Sequence, residues 1–391
     1  MERKLFQEEH HFLRKTLGEF IEQKVLPKYP KWEKEGLVPK QMWLDAGEMG
    51  WLCPTAKQEY GGLGAELLHS VVIAEELAYY GTPGFFISLH NDIVFPYLEQ
   101  FGNPSQLHRW VPGCVSGETI LALAMTEPGH GSDLGRIETR AVLKNGEYVI
   151  NGSKIFISNG QLADLFIVAV RTSSPERPHD GISLLLVPSD SPGFARGRNL
   201  EKIGLHAQDT SEIFFDDCRV PAENLLGEEN RGFAHMMQNL QQERLFLALG
   251  AVAHASGALK HTLDYVKSRK AFGQELSRFQ HIRFVLAELA TKIQVTQSFI
   301  DDLIPRHMQG EELTREVSMA KYWASDVEFE VCDRCLQLFG GYGYMSEYPI
   351  SRYFLDARVQ RIYGGTNEIM KELIARQLGI CLLYTSPSPR D

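Results

Sequence analysis

The order of hydrophobic patterns along this chain predicts a segregated α+β fold: an N-terminal helical domain, a middle β domain and a C-terminal helical bundle. Apolar residues recur at helical spacing up to residue 118 and again from 232 onward. Between them, over 119–231, the texture changes to short apolar runs separated by loops carrying Gly and Pro. Strands are grouped rather than alternating with helices, and no G-x-G-x-x-G follows a strand. Both facts argue against a doubly wound nucleotide-binding sheet.

In the segment 1–118, Leu5, Phe6, Leu13, Leu17, Phe20, Ile21 and Val25 mark one amphipathic helix that Pro27 should stop. A second helical run covers 65–80 and breaks at Gly81, Pro83 and Gly84; Pro104 and Pro112 punctuate the stretch from there to 118. The strand candidates of 119–231 are 120–125, 148–157, 165–171, 182–187 and 212–215. Asn145-Gly146 is a two-residue hairpin signal joining 140–144 to 147–150, and Asn151-Gly152 predicts another turn. In 232–380, Met236, Met237, Leu240, Leu247, Ala251 and Leu259 stripe one long helix. Two more cover 282–304 and 313–338, and a last helix runs from about 367 to 378, with Gly379 placed to cap it. Residues 381–391 leave the pattern; Ser386-Pro387-Ser388-Pro389 reads as an extended, disordered and non-native tail.

Composition narrows the function classes. At 43% hydrophobic residues, the chain has ample material for a core. A net charge of -10 disfavours a nucleic-acid surface. Six cysteines in 391 residues form no disulfide framework. Cys332 and Cys335 make a C-x-x-C without a second pair at zinc-ligand spacing, so they read as a helical, partly buried pair, and no metal is expected. No run approaches the ~20 apolar residues of a membrane span, so no stable membrane anchor is expected. The N-terminus enters its helix without a signal or transit pattern, which suits a bacterial cytoplasmic protein or a trimmed mitochondrial matrix form.

Glu243 is the residue most in need of explanation. Leu240 and Leu247 share its helical face, and a carboxylate on an apolar face is costly unless paired or used. An ion pair is the plain alternative, although Arg244, one residue on, points in a different direction. Far along the chain, Gly364-Gly365 in Arg361-Ile362-Tyr363-Gly364-Gly365-Thr366-Asn367-Glu368-Ile369 reads locally as a flexible turn before a helix.

Several segments, taken in order, carry a resemblance. They are Met125-Thr126-Glu127-Pro128-Gly129-His130-Gly131-Ser132-Asp133, Lys154-Ile155-Phe156-Ile157-Ser158-Asn159-Gly160, Gln241-Gln242-Glu243-Arg244, Ser268-Arg269-Lys270-Ala271-Phe272-Gly273-Gln274, Gln337-Leu338-Phe339-Gly340-Gly341-Tyr342-Gly343-Tyr344 and the 361–369 motif. Together they resemble the flavin-dependent acyl-CoA dehydrogenases over nearly the whole chain, to Ile380. Many members carry their catalytic glutamate where this chain has Gly364. A minority carry it on an earlier helix, followed by Arg, as at Glu243. The chain therefore looks like the long-chain subgroup, with the isovaleryl subgroup as nearest competitor.

The resemblance implies non-covalent FAD and 2,3-dehydrogenation of a medium- to long-chain fatty acyl-CoA. Glu243 would take the α proton, and Gly364 would offer its backbone N–H to the thioester oxygen. Leu123, Met125, Thr126, Gly131 and Ser132 would line the isoalloxazine, with Ser132 also at the CoA. Phe156, Ile157 and Ser158 would pack on the flavin, the Ser158 hydroxyl at N5. His130 stands where relatives commonly have a small residue. Leu240, Arg244 and Gly365 would complete the substrate site. Arg269, Phe272 and Gln280, at a helix end and the loop after it, would serve the diphosphate of a neighbouring subunit's FAD; capping by Gly273 explains the same stretch structurally. Gln337, Leu338, Gly340 and Gly341 would reach the adenine end, and Thr366 and Glu368 would meet FAD at the last helix. A shared site implies a homotetramer, a dimer of dimers, passing electrons to electron-transferring flavoprotein. A carboxylate placed at 364 is expected to replace a missing Glu243 if the backbone there tolerates a side chain. The alternatives are an isovaleryl-type enzyme, an acyl-CoA oxidase and a DNA-binding flavoprotein of the same fold.

Overall fold

The computed structural model describes residues 3–174 and 179–380, so the tail expected at 381–391 lies outside the described residues. The N-terminal helices are α1 (Glu8–Phe20), α2 (Tyr29–Glu35), α3 (Lys40–Glu48), α4 (Leu67–Tyr79), α5 (Phe95–Phe101) and α6 (Pro104–Ser116). The first differs from the sequence reading. Leu5 and Phe6 precede it, because the Gln7 N–H bonds back to His10 Nδ1 at 3.1 Å and starts the helix there. Its last apolar residues, Ile21 and Val25, lie in a π-helical turn, Ile21–Val25. A second π turn, Leu89–Val94, runs straight into α5. Pro104 opens α6, where its missing N–H costs nothing, but Pro112 sits inside that helix rather than ending it.

The middle strands are β1 (Leu121–Ala124), β2 (Arg140–Lys144), β3 (Glu147–Ser158), β4 (Leu165–Arg171), β5 (Ile182–Pro188), β6 (Phe194–Asn199), β7 (Thr210–Pro221) and β8 (Leu225–Leu226). They form one eight-stranded sheet in the order β6-β7-β3-β2-β4-β5-β8, with β1 parallel to β4. Asn145 and Gly146 both have positive φ and make the expected hairpin. Asn151-Gly152 does not turn the chain. It lies inside β3 as a bulge against β7, where Gly152 at φ +144° passes so near Thr139 that a Cβ would sit 2.6 Å from its Oγ1. The sequence reading also missed β6, a polar edge strand with no alternation to betray it.

The C-terminal part holds α7 (Gly232–Ser268), a two-strand hairpin of β9 (Lys270–Ala271) and β10 (Gln274–Glu275), α8 (Gln280–Met308), α9 (Thr314–Phe339), α10 (Pro349–Ala357) and α11 (Asn367–Gln377). α10, announced only by Pro349 at its first position, was not anticipated. α4 packs against both α1 and α7, so the first and last parts share one helical core that includes Leu68, Val72, Leu249, Leu289 and Val331. Arg3 and Arg14 both bind the buried Glu75, at 2.8 and 2.7 Å, and Arg3 also reaches Asp301 on α8 at 2.6 Å. Alternate residues of β4 feed different cores. Phe166, Val168 and Val170 face α1–α3, while Leu165, Ile167 and Ala169 face the α5–α6 side. Cys332 and Cys335 are buried and unbridged on α9. No helix among the described residues is long and apolar enough to cross a membrane.

Candidate active site

Two segments distant in sequence meet on α7. Gly364 and Gly365 have φ of +63° and +92°, a conformation that side chains disfavour. A Cβ on Gly364 would run into Leu247 Cδ1, one turn beyond Glu243. A Cβ on Gly365 would sit 2.7 Å from Met370 Cε and 4.0 Å from Arg244 Nη2. The glycine pair is therefore a fixed close approach to the helix that carries Glu243, rather than a slack turn.

Glu243 is 6% exposed, and its partner is not the neighbouring arginine. Tyr97 on α5 donates its hydroxyl to Glu243 Oε1 at 2.8 Å. Burial pushes the Glu243 carboxyl up to about 7, against the opposing pull of the Tyr97 hydrogen bond and the Arg244 charge. Arg244 is itself buried, and its Nε has no hydrogen-bond partner among the described residues. The preceding residue, Gln242, ties α7 to the π turn through Asp92 O at 3.0 Å. A base of this kind works only when ionised, so proton abstraction should rise with pH through about 7. In Tyr97→Phe the carboxylate loses a donor that favours its charged form. The midpoint of the pH–rate profile should therefore move upward, while the high-pH plateau stays close to wild type. A rapid-mixing pH series tests this; a midpoint that stays or falls removes Tyr97 as the positioning partner.

Lys321 holds the glycine loop from below. Its ammonium donates to Gly365 O at 2.7 Å and to Asn367 Oδ1 at 3.1 Å. Burial, with the nearby Arg244 charge, brings that lysine down to about 8. Sequence reasoning missed both Lys321 and Tyr97. Lys321 left a signal, a lysine on the apolar stripe of Val317, Ala320 and Ala324. Tyr97 left none, standing 146 residues from its partner.

The expected flavin segments lie together on the sheet. Leu123 is on β1, and Met125 and Thr126 follow it, each half-buried. Lys154 Nζ bonds Met125 O and Glu127 Oε1, both at 2.9 Å, and the Ile155 N–H donates to Thr126 O at 2.9 Å. These bonds clamp the loop after β1 against β3. Gly131 and Ser132 are exposed, and a Cβ on Gly131 would meet nothing among the described residues within 4 Å. His130 closes a tight turn with Glu127 and comes within 3.7 Å of Glu138 Oε1. Ile157 is buried and Ser158 half-buried, while Phe156 is 65% exposed at φ +60°, an aromatic held outward by an uncommon backbone.

A separate group forms at the end of the bundle. Arg269 caps α7 and stacks over Tyr342 at 5.2 Å. Gly273 does not cap that helix. It turns the β9–β10 hairpin with Phe272, which is 96% exposed at φ +49°. Gln280 is the first residue of α8 rather than part of the loop. Gln337, Gly340 and Gly341 are exposed and Leu338 is half-buried. No hydrogen bond or ring contact among the described residues joins this group to Glu243, Thr126 or Ser158. Thr366 caps α11, its side chain accepting from Ile369 N, and Glu368 is exposed in the first turn.

One cluster elsewhere has metal-like spacing: ligand atoms of Glu9, His10 and His69 lie within 4.8 Å of one another. His10 Nδ1 accepts from Gln7, so its Nε2 carries the proton of the neutral ring and is not free to ligate.

A helical–β–helical frame around a buried carboxylate defines a known class. Descriptions of the acyl-CoA dehydrogenase N-terminal, middle and C-terminal domains match residues 7–118, 122–218 and 230–379, and the chain belongs to the acyl-CoA dehydrogenase family. It is 46% identical over 377 residues to the mitochondrial long-chain specific acyl-CoA dehydrogenase of Mus musculus, covering 96% of this chain and 88% of that protein. The crystal structure of an acyl-CoA dehydrogenase from Geobacillus kaustophilus superposes with a TM-score of 0.95 at 50% identity, covering 96% of this chain and all of that one. Curated relatives named for isobutyryl-CoA, isovaleryl-CoA and short-chain substrates match too, at 32–37% identity. FAD is the cofactor of this family. A glutaryl-CoA dehydrogenase from Mycobacterium smegmatis, solved with FADH2, has a TM-score of 0.89 at 26% identity, over 96% of this chain and 95% of that one. The residues present fit such a group. Outward-held Phe156 and Phe272 offer aromatic faces, and Gly131, Gly340 and Gly341 border open space.

Proposed function

We propose that this acyl-CoA dehydrogenase oxidises a medium- to long-chain fatty acyl-CoA to its trans-2-enoyl-CoA, with Glu243 as the base. The observation that carries the reading is the buried Glu243 carboxyl, pushed up to about 7, on the helix that the Gly364 loop touches. The α proton of a thioester is weakly acidic, and a base tuned near neutral pH can accept it without being protonated in advance. Gly364 keeps a backbone N–H for the thioester oxygen, because that donor does not depend on the side chain. Lys321 fixes the loop that presents it. Bound FAD supplies the acceptor for the β-carbon hydride. Thr126, Ser132 and Phe156–Ser158 would hold its ring system.

The chain-length reading rests on a cavity one turn beyond Glu243. Leu77, Pro83, Phe85, Phe86, Phe246 and Leu247 wall it with apolar surface. An alkyl chain gains about 0.8 kcal/mol for each buried methylene, so such a wall favours a longer chain over a branched short one. Arg269, Phe272, Gln280 and Gln337–Gly341 would meet the FAD of a neighbouring subunit in a homotetramer, and electron-transferring flavoprotein would take the electrons in a cytoplasmic setting. The test is turnover on isovaleryl-CoA, octanoyl-CoA and palmitoyl-CoA with a dye acceptor and with oxygen. The highest kcat/KM is expected on a straight chain with the dye. A preference for isovaleryl-CoA would shift the assignment to the branched-chain type, and oxygen as the better acceptor would make it an oxidase.

A further inference from the structure

The cavity next to the candidate site has an apolar wall and a polar floor. Glu243, Leu247, Gly250 and His254 follow one another along one face of α7, and the last three line the cavity. His254 stands eleven residues beyond Glu243, which is about 16 Å along a helix. A long-chain acyl group covers that span; a butyryl or octanoyl group does not.

At the floor stand His254, Glu328, Asp356 and Gln360, each at least nine-tenths buried. His254 Nδ1 and Glu328 Oε1 are 2.7 Å apart, and the Leu205 N–H donates to Asp356 Oδ1 at 2.5 Å. Each of the four residues also has an atom with no hydrogen-bond partner among the described residues: His254 Nε2, Glu328 Oε2, Asp356 Oδ2 and Gln360 Oε1. Buried polar atoms left unmatched cost about 1–3 kcal/mol each, so four such atoms on residues that line one cavity point to an occupant that hydrogen-bonds.

We propose that this floor recognises a hydroxyl at the far end of the acyl chain, making an ω-hydroxyacyl-CoA a preferred substrate. The inference rests on the reading of Glu243 as the base. A hydroxyl both donates and accepts, and so matches a floor that mixes an imidazole nitrogen with carboxyl and amide oxygens. A terminal carboxylate fits badly, because burial at the floor would strip its charge of water. Burial holds Glu328 well above the usual carboxylate range, brings Asp356 up to about 7 and His254 down to about 3. The floor is thus hostile to added charge but not to a neutral dipole.

The experiment compares plain, ω-hydroxy and ω-carboxy acyl-CoAs over a series from octanoyl to palmitoyl. It reads kcat/KM in the wild type and Kd by calorimetry in Glu243→Gln. The ω-hydroxyl should improve both by about tenfold or more at the length that reaches the floor, and by nothing at shorter lengths. His254→Leu/Glu328→Leu should erase that gain while plain chains are still oxidised. No gain at any length in the wild type overturns the proposal, whatever the double variant does, and so does an equal gain for the ω-carboxylate. Failure of every acyl-CoA, plain and hydroxylated alike, overturns the reading of the site and this proposal with it.

Discussion

Replacing Glu243 by glutamine is expected to slow reduction of the flavin by substrate about 10²–10⁴-fold, the worth of a positioned base. Glutamine retains the length of the side chain and an oxygen that can accept from Tyr97, so α5 and α7 should stay joined. What it cannot do is take a proton. Substrate affinity should persist, because the acyl wall begins at Leu247 and lies beyond the substituted group. Anaerobic rapid mixing with octanoyl-CoA or palmitoyl-CoA measures the rate, and calorimetry the affinity. Reduction at the wild-type rate would show that another group is the base.

Returning a carboxylate at position 364 is the second large effect, and its direction is set by packing. From sequence, Gly364→Glu could rescue Glu243→Gln if the backbone accepted a side chain. The geometry opposes this twice. The φ of +63° costs a non-glycine residue roughly 1–2 kcal/mol, and the new Cβ would occupy the place of Leu247 Cδ1. The double variant Glu243→Gln/Gly364→Glu should therefore stay within about tenfold of Glu243→Gln alone. Trimming the obstacle in Glu243→Gln/Leu247→Ala/Gly364→Glu should recover at least about tenfold of the lost reduction rate, although Leu247→Ala itself costs about 2–5 kcal/mol of stability. Thermal melting establishes that the triple variant is folded before its rate is compared. Full rescue in the double variant would mean that the loop moves more easily than its packing against α7 indicates.

The parts of this molecule that were legible in the sequence are those whose pattern is local. β4 announces itself because both of its faces are buried, which leaves an unbroken apolar run from Leu165 to Val170. The hairpin at Asn145-Gly146 is written in two residues. Asn151-Gly152 carries almost the same letters but a different meaning. A glycine is needed for φ +144° in a bulge as much as for a turn, and only the strand beside it decides which. β6 and α10 escaped because edge polarity and a single proline are weak signals. In the site, Glu243 was visible as a charge on an apolar face. Its partner Tyr97 was not, since no periodicity links residues on different helices. Lys321 is a charge on an apolar face by the same reasoning as Glu243, but its partner, Gly365 O, is a backbone atom on another element that no side-chain pattern marks.

The shared helical core sets an order of events during synthesis. α4 is buried along almost its whole length, from Leu68 to Ala78, and α7 is one of its principal neighbours. α7 is complete only roughly 190 residues after α4 has been made. At about 5–20 residues per second, the ribosome takes roughly 10–40 s to cover that distance. Throughout that interval the nascent chain carries an apolar helix whose main docking partner does not yet exist. Arg3 waits longer still for Asp301. The first third of this protein therefore cannot finish folding as it emerges. Its yield in a cell should depend on whatever shields α4 until α7 arrives.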